Sequence, residues 1–288
     1  MNADKLSRRT LIRGASLAAA GAIAAPVLGR AAGAEIKNMV TNGRINQSVS
    51  RWCYRKLSLE QLCEAGAKMG LKGIDLLRPN DFPTLKKYGL VCTMTSGGGS
   101  VNDKRKHPET IARLREVIEA TAEYGFSNVI AMSGNRNGIP DDVGIENAAA
   151  CLKQVAGFAE EKKVNVCIEY LNSKVDHKGY MFDHMAWGVE VCQRVGSPNV
   201  KILYDIYHAQ IMEGDIIRTI RTFKEHIGHY HTGGNPGRNE IDETQELYYP
   251  AIMRAIVETG YTGYVAHEFV PKRDPLTSLA QAVKICDV

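Results

Sequence analysis

The feature that most constrains this chain is a rhythm. From about residue 45 onward, short runs of β-branched and apolar residues alternate with longer segments of helical periodicity. Candidate strands fall at 45–53, 73–77, 91–96, 128–133, 165–171, 200–206, 228–232 and 264–269. Candidate helices lie between and after them, at 59–69, 83–88, 108–124, 145–163, 183–195, 215–224, 248–258 and 275–286. Gly70, Gly125, Gly196 and Gly260 each follow a helical run, where glycine adopts the left-handed cap conformation cheaply. Helix, glycine, strand is the pattern of parallel β/α units, and eight units in roughly 250 residues predict an α/β fold, one closed (β/α)8 TIM barrel. A doubly wound open sheet is the alternative. The first strand–helix connection, however, has no Gly-x-Gly-x-x-Gly to cradle a dinucleotide, and Gly97-Gly98-Gly99-Ser100 lacks the Lys-Ser/Thr ending of a phosphate loop.

The first 34 residues do not join this rhythm. Ser7-Arg8-Arg9-Thr10-Leu11-Ile12 precedes an alanine-rich, weakly apolar stretch from Ala15 to Leu28, and Ala32-Gly33-Ala34 supplies small residues for cleavage. A charged start, an apolar middle and a small-residue end make a twin-arginine signal peptide of residues 1–34, ahead of a single barrel domain at 35–288. The stretch is too short and too poor in large apolar residues for a transmembrane helix of about 20 residues. No cysteine follows it to take a lipid. The expectation is a soluble periplasmic product, handed to the Tat export machinery already folded and without a stable membrane anchor.

Charge narrows the partners. The net charge is +4, with five basic residues in the first 30 positions, so the remainder is close to neutral. No nucleic acid or anionic membrane is expected, since either calls for clustered Lys and Arg on the folded part. A small neutral or weakly anionic molecule suits the composition better. The seven cysteines are odd in number, scattered and without a Cys-x-x-Cys pair, and they read as buried structural thiols.

Candidate chemistry lies in the second half, where the last four strands each carry a polar residue near the carboxyl end. They read Val166-Cys167-Ile168-Glu169, Ile202-Leu203-Tyr204-Asp205, His229-Tyr230-His231 and Val265-Ala266-His267-Glu268. Strand ends of a parallel barrel converge on one mouth, so Glu169, Asp205, His231 and Glu268 meet there despite a separation of a hundred residues. A carboxylate in an apolar strand is costly to bury alone. Three of them with one imidazole make sense around a divalent metal ion, Mn²⁺, Mg²⁺ or Co²⁺ by donor type, with Zn²⁺ also compatible.

In these segments the chain resembles the hydroxypyruvate isomerase family within the xylose-isomerase-like sugar isomerase and epimerase TIM barrels. The likeness is strongest from Leu203 to Gly214, from Gly228 through His231 to Asn235-Pro236-Gly237-Arg238-Asn239-Glu240, and from Gly260 to Phe269. It implies Glu169, Asp205, His231 and Glu268 as metal ligands, Glu169 and Glu268 also as the catalytic acid and base, and His208 and Arg238 as substrate-binding residues. It further implies pairing of barrels into a homo-oligomer through helical faces. Two departures mark this chain. His231 stands where hydroxypyruvate isomerases carry glutamine and the ketose epimerases histidine, and residues 240–246 lack the family's Pro-Gly-Thr-Gly run.

The implied reaction is metal-dependent isomerisation of small hydroxy-carbonyl compounds, of hydroxypyruvate or tartronate-semialdehyde type, by proton transfer through an enediolate. Alternatives on the same barrel are a ketose 3-epimerase and a sugar-acid or inosose-type dehydratase. From another class comes a non-catalytic periplasmic sugar-binding barrel. A DNA-repair endonuclease of similar fold needs more His and acidic ligands and a basic groove. Of the two tryptophans, Trp52 is expected to wall the pocket and Trp187 to lie in the core, while His229 and His267 are expected to point elsewhere or to support the ligands.

Overall fold

A computed structural model of the protein describes residues 37–288, and the expected signal segment, residues 1–34, lies outside the described residues. Eight strands run as β1 (Asn46–Ser50), β2 (Gly73–Leu77), β3 (Val91–Gly98), β4 (Asn128–Ala131), β5 (Asn165–Glu169), β6 (Val200–Asp205), β7 (Ile227–Thr232) and β8 (Tyr264–His267). They close in sequence order, each parallel to its neighbours, and β8 returns to β1 with Val49 opposite His267. Helices α1 (Leu59–Met69), α2 (Phe82–Lys87), α3 (His107–Glu123), α4 (Asp141–Lys162), α5 (Met185–Val195), α6 (Ile206–Met212), α7 (Ile216–Phe223), α8 (Tyr249–Glu258) and α9 (Pro275–Cys286) follow the strands. The expected eight-unit barrel is the fold.

Strand periodicity decides where every side chain goes. Successive residues point to opposite faces, so Val129, Ala131, Val166, Ile168, Ile202, Tyr204 and Tyr230 pack with the helices in the main core, while Met94, Ile130, Cys167 and Leu203 form a separate cluster in the barrel lumen. Glu169, Asp205 and His231 share the lumen parity of Cys167 and Leu203. Ile168 is fully buried in the shell, and its truncation to alanine would cost about 2–5 kcal/mol. That packing fixes the strand end on which Glu169 stands. All seven cysteines are free and buried.

Boundaries departed from the sequence pattern by more than two residues in three places. The segment Ile206–Met212, given no helix by the sequence pattern, forms α6 directly out of β6, because Asp205 caps it by accepting the His208 N–H at 3.2 Å. α4 starts at Asp141, four residues early, behind Pro140 and with Asp141 and Asp142 in the first turn, where carboxylates suit the helix dipole. The polar tail of the first candidate strand becomes a 3₁₀ turn, Arg51–Tyr54, which brings Trp52 over the mouth. At the opposite end of the chain the Asp287 carboxylate accepts the backbone N–H groups of Thr41, Asn42 and Gly43 at 2.5–2.8 Å, tying the two termini of the barrel together.

Candidate metal centre and active site

Glu169 and Asp205 are the last residues of β5 and β6, His231 is the penultimate residue of β7, and Glu268 follows β8 directly. The structure brings one ligand atom from each to within 4.8 Å of all the others, and all four residues are buried. His231 Nδ1 lies 2.7 Å from Glu268 Oε2, 3.6 Å from Glu169 Oε1 and 3.8 Å from Asp205 Oδ2. Among the described residues it is nevertheless a buried nitrogen without a hydrogen-bond partner. A ring nitrogen surrounded by three carboxylate oxygens fits an oxygen-rich divalent cation site with one nitrogen donor.

On the other side of the same imidazole stands Asp75, from the middle of β2. His231 Nε2 is 2.8 Å from Asp75 Oδ2, a hydrogen bond that holds one ring proton on Nε2. Burial pushes the ring down, but the surrounding carboxylates prevail and hold it well above the ordinary range, so without a metal Nδ1 carries a second proton, the one a bound cation would replace. Asp75 Oδ1 accepts from Thr93 Oγ1 at 2.5 Å and lies 3.1 Å from His229 Nε2. Asp75, His229 and His231 form a second buried acid–histidine group. Burial pushes the Asp75 carboxyl up, but the neighbouring imidazoles outweigh it and hold the group well below the usual carboxylate range. Sequence reasoning passed over Asp75, although Gly73-Ile74-Asp75-Leu76-Leu77 carries the same signal as the other strands, a lone carboxylate among apolar residues.

The two expected acid/base residues sit in contrasting fields. Burial raises the Glu169 carboxyl to about 7, with His231 opposing. Burial also pushes Glu268 up, but the charges of Arg238 and His231 prevail and hold it low. Glu268 is further fixed by Trp52, whose Nε1 donates to Oε1 at 2.5 Å. Asp205 is held low in the same way, burial being outweighed by His208 and Arg238.

Arg238 is a mouth residue. Its guanidinium lies 5.2 Å from the Trp52 ring centroid and 5.4 Å from that of Tyr207, and Nη2 donates to Asp205 Oδ2 at 3.1 Å and Glu268 Oε2 at 2.5 Å. The backbone there is left-handed, with φ +55°, a conformation that costs a non-glycine residue about 1–3 kcal/mol. It aims the side chain inward. His208, in the first turn of α6, is fully buried with Nε2 3.6 Å from Asp205 Oδ2, and burial pushes the ring down to about 4. Trp187 lies stacked on Phe182 in the core, and His267 points away from the mouth to Gln47 Oε1 at 2.9 Å.

Known proteins of the same kind were found by sequence and by shape. The family model described as "Xylose isomerase-like TIM barrel" matches residues 63–286. A human protein named for hydroxypyruvate isomerase is 27% identical over 60% of this chain and 66% of its own length, so the match spans just under two thirds of that relative. A 2-oxo-tetronate isomerase of Cupriavidus necator is 35% identical over 57% of this chain and 65% of its own. A Danio rerio protein also named for hydroxypyruvate isomerase is 32% identical over 77% of this chain and 78% of its own. Among solved structures, a family 2 AP endonuclease of Brucella melitensis superposes with a TM-score of 0.73 at 23% identity, covering 82% of this chain and 98% of its own. A 3-keto-D-glucoside 4-epimerase of E. coli gives 0.72 at 19%, covering 83% and 97%. At those identities the two structures speak for the fold alone. With its closed barrel, the acidic mouth built on the last four strands, and these sequence matches, the chain belongs to the xylose isomerase-like TIM barrels, in their hydroxypyruvate isomerase family.

Proposed function

We propose that the protein is an isomerase of small hydroxy-carbonyl compounds, of the hydroxypyruvate or tartronate-semialdehyde class, acting by proton transfer through an enediolate. The observation that carries this reading is the convergence of Glu169, Asp205, His231 and Glu268 on one point at the barrel mouth. These four would hold a single divalent cation, Mn²⁺, Mg²⁺ or Co²⁺, with Zn²⁺ also compatible. When bound, the cation supplies Lewis-acid polarisation of the substrate carbonyl and stabilises developing negative charge.

The protein's own groups handle the proton and the fit. Glu169 and Glu268 come from strands three apart in the ring and so address the substrate from different directions. One removes the C–H proton beside the carbonyl and the other delivers a proton to the neighbouring carbon. Arg238, held between Trp52 and Tyr207, offers a planar fork to a substrate carboxylate. His208 addresses a substrate oxygen. The activities for which the relatives are named, hydroxypyruvate isomerase and 2-oxo-tetronate isomerase, support a 2-oxo acid over a neutral sugar.

A ketose 3-epimerase is the second reading, favoured by a histidine, His231, at the nitrogen ligand position. Both are tested by elemental analysis of the purified mature protein, followed by assays on hydroxypyruvate and a ketose panel with the bound metal restored. About one divalent ion per chain, lost in Glu169→Ala, with product from hydroxypyruvate is the expected result. Epimeric ketoses as sole products would move the assignment to the epimerase. No metal and no turnover would sink both and favour a non-catalytic sugar-binding barrel. We propose periplasmic delivery through the Tat machinery on the paired arginines Arg8 and Arg9.

A further inference from the structure

Asn172 lies three residues beyond β5 and is fully buried beside His208. Its amide orientation is set without reference to the histidine. Oδ1 accepts the backbone N–H groups of Val175 at 3.0 Å and Asp176 at 2.9 Å, and Nδ2 donates to Asp176 Oδ2 at 2.7 Å. Turning the amide over would set its NH₂ against two N–H groups and its carbonyl against a carboxylate, replacing three hydrogen bonds with three repulsions. The same Nδ2 is 2.6 Å from His208 Nδ1. An amide NH₂ only donates, so His208 Nδ1 must present its lone pair. Asp176 Oδ2, at 4.0 Å, is too distant to take a proton from that nitrogen. The ring proton therefore resides on Nε2. That nitrogen is buried, has no hydrogen-bond partner among the described residues, and lies 3.6 Å from Asp205 Oδ2 at the mouth.

We infer that Asn172 is a positioning residue that holds His208 as the neutral Nε2–H tautomer, making the ring a donor only, directed at an acceptor oxygen of the substrate. The substrate atom it meets is the carbonyl oxygen, or the enediolate oxygen that carbonyl becomes. This deepens the isomerase reading and rests on it for the identity of that atom, but not for the tautomer. A fixed neutral donor strengthens its bond as charge develops on the oxygen, so its effect falls on the rate more than on ground-state binding. The paired histidines of the mouth are thereby given opposite settings. With a cation bound, Asp75 makes His231 offer Nδ1 as a lone pair, and Asn172 makes His208 offer Nε2 as a proton.

The test is long-range ¹H–¹⁵N NMR of the ¹⁵N-histidine-labelled full-length protein with Mg²⁺ at neutral pH, His208 being assigned by the signals lost in His208→Gln. The expected pattern has Nδ1 pyridine-like and Nε2 pyrrole-like. Asn172→Asp keeps the acceptor for the two backbone N–H groups but turns an oxygen toward Nδ1. Asp176→Asn in the same chain avoids facing carboxylates. In this double variant the proton should move to Nδ1, with kcat falling about 10²–10³-fold, the cost of losing one such donor, and KM changing far less. An Nδ1–H or doubly protonated ring in the unmodified protein would overturn the assignment whatever the activity. So would a switched tautomer with unchanged kcat. Absence of turnover on every hydroxy-carbonyl tried would overturn the isomerase reading and leave the tautomer result standing.

Discussion

The halves of the barrel use the same unit for different ends. Glu169, Asp205 and His231 reach the mouth from β5, β6 and β7, and Glu268 from the residue after β8, whereas the lumen of β1 to β4 presents Ser48, Thr93, Met94 and Ile130. Among the described residues, the one lumen carboxylate on β1 to β4, Asp75, meets no other acid and instead holds His231 from the opposite side of its ring. Three carboxylates around one point repel one another, and in the metal-free protein Arg238 and His231, protonated on both nitrogens, are the cations that offset this. One half therefore carries the ligating groups, and the other orients two of them, His231 through Asp75 and Glu268 through Trp52.

Four measurements would break or sharpen this division. Glu268→Gln should lower kcat by about 10²–10⁴-fold, the usual contribution of a positioned acid or base, with the barrel still folded but melting at a lower temperature, because glutamine forfeits the ion pairs to His231 and Arg238 that keep the carboxylate ionised. Asp75→Asn should act on the cation: its affinity, read by calorimetry, should fall about 10–100-fold, the typical effect of losing the group behind a ligating histidine. If the kcat of metal-saturated Asp75→Asn fell as far as that of Glu268→Gln, the division between ligating and orienting halves would fail.

The third measurement is pH dependence. Burial raises Glu169 to about 7, so the metal-free fold favours its protonated form. Its contribution to stability is present below the ordinary carboxylate range and lost as pH rises through about 7. Metal affinity should run the opposite way, rising by up to about tenfold per pH unit below 7 and levelling above it. Thermal melts and calorimetry across pH 5 to 8 check both, and Glu169→Gln should flatten the melts. The smallest effect is expected from removing residues 1–34. Turnover should stay within about twofold, as for a change remote from the site, while export, followed by cell fractionation, should cease. Unchanged export would end the twin-arginine reading.

Strands were readable because the lumen and shell faces alternate with period two, and the candidate ligands because charged residues interrupt apolar strands at their carboxyl ends. The same interruption at Asp75 went unread because it sits mid-strand, where its reason for existing is a partner 156 residues away. α6 was hidden because Ile206 and Tyr207 look like a continuing strand, and the capping role of Asp205 was masked by its candidacy as a ligand. Asn172 carries no local signal at all, being a polar loop residue whose consequence is a proton on another element.

Local chemistry, repeated eight times, was enough to specify a closed parallel barrel, since each β/α unit buries its apolar face only against the next. The parity of Glu169, Asp205 and His231, and with it their convergence, follows from those same strands. Tertiary structure alone decided the settings of the groups: which nitrogen of His231 and of His208 bears the proton, why Glu169 is raised while Glu268 is held low, and where Arg238 points. Those properties depend on distances of a few ångströms between side chains remote in sequence, and the field at a buried atom is a sum over such neighbours.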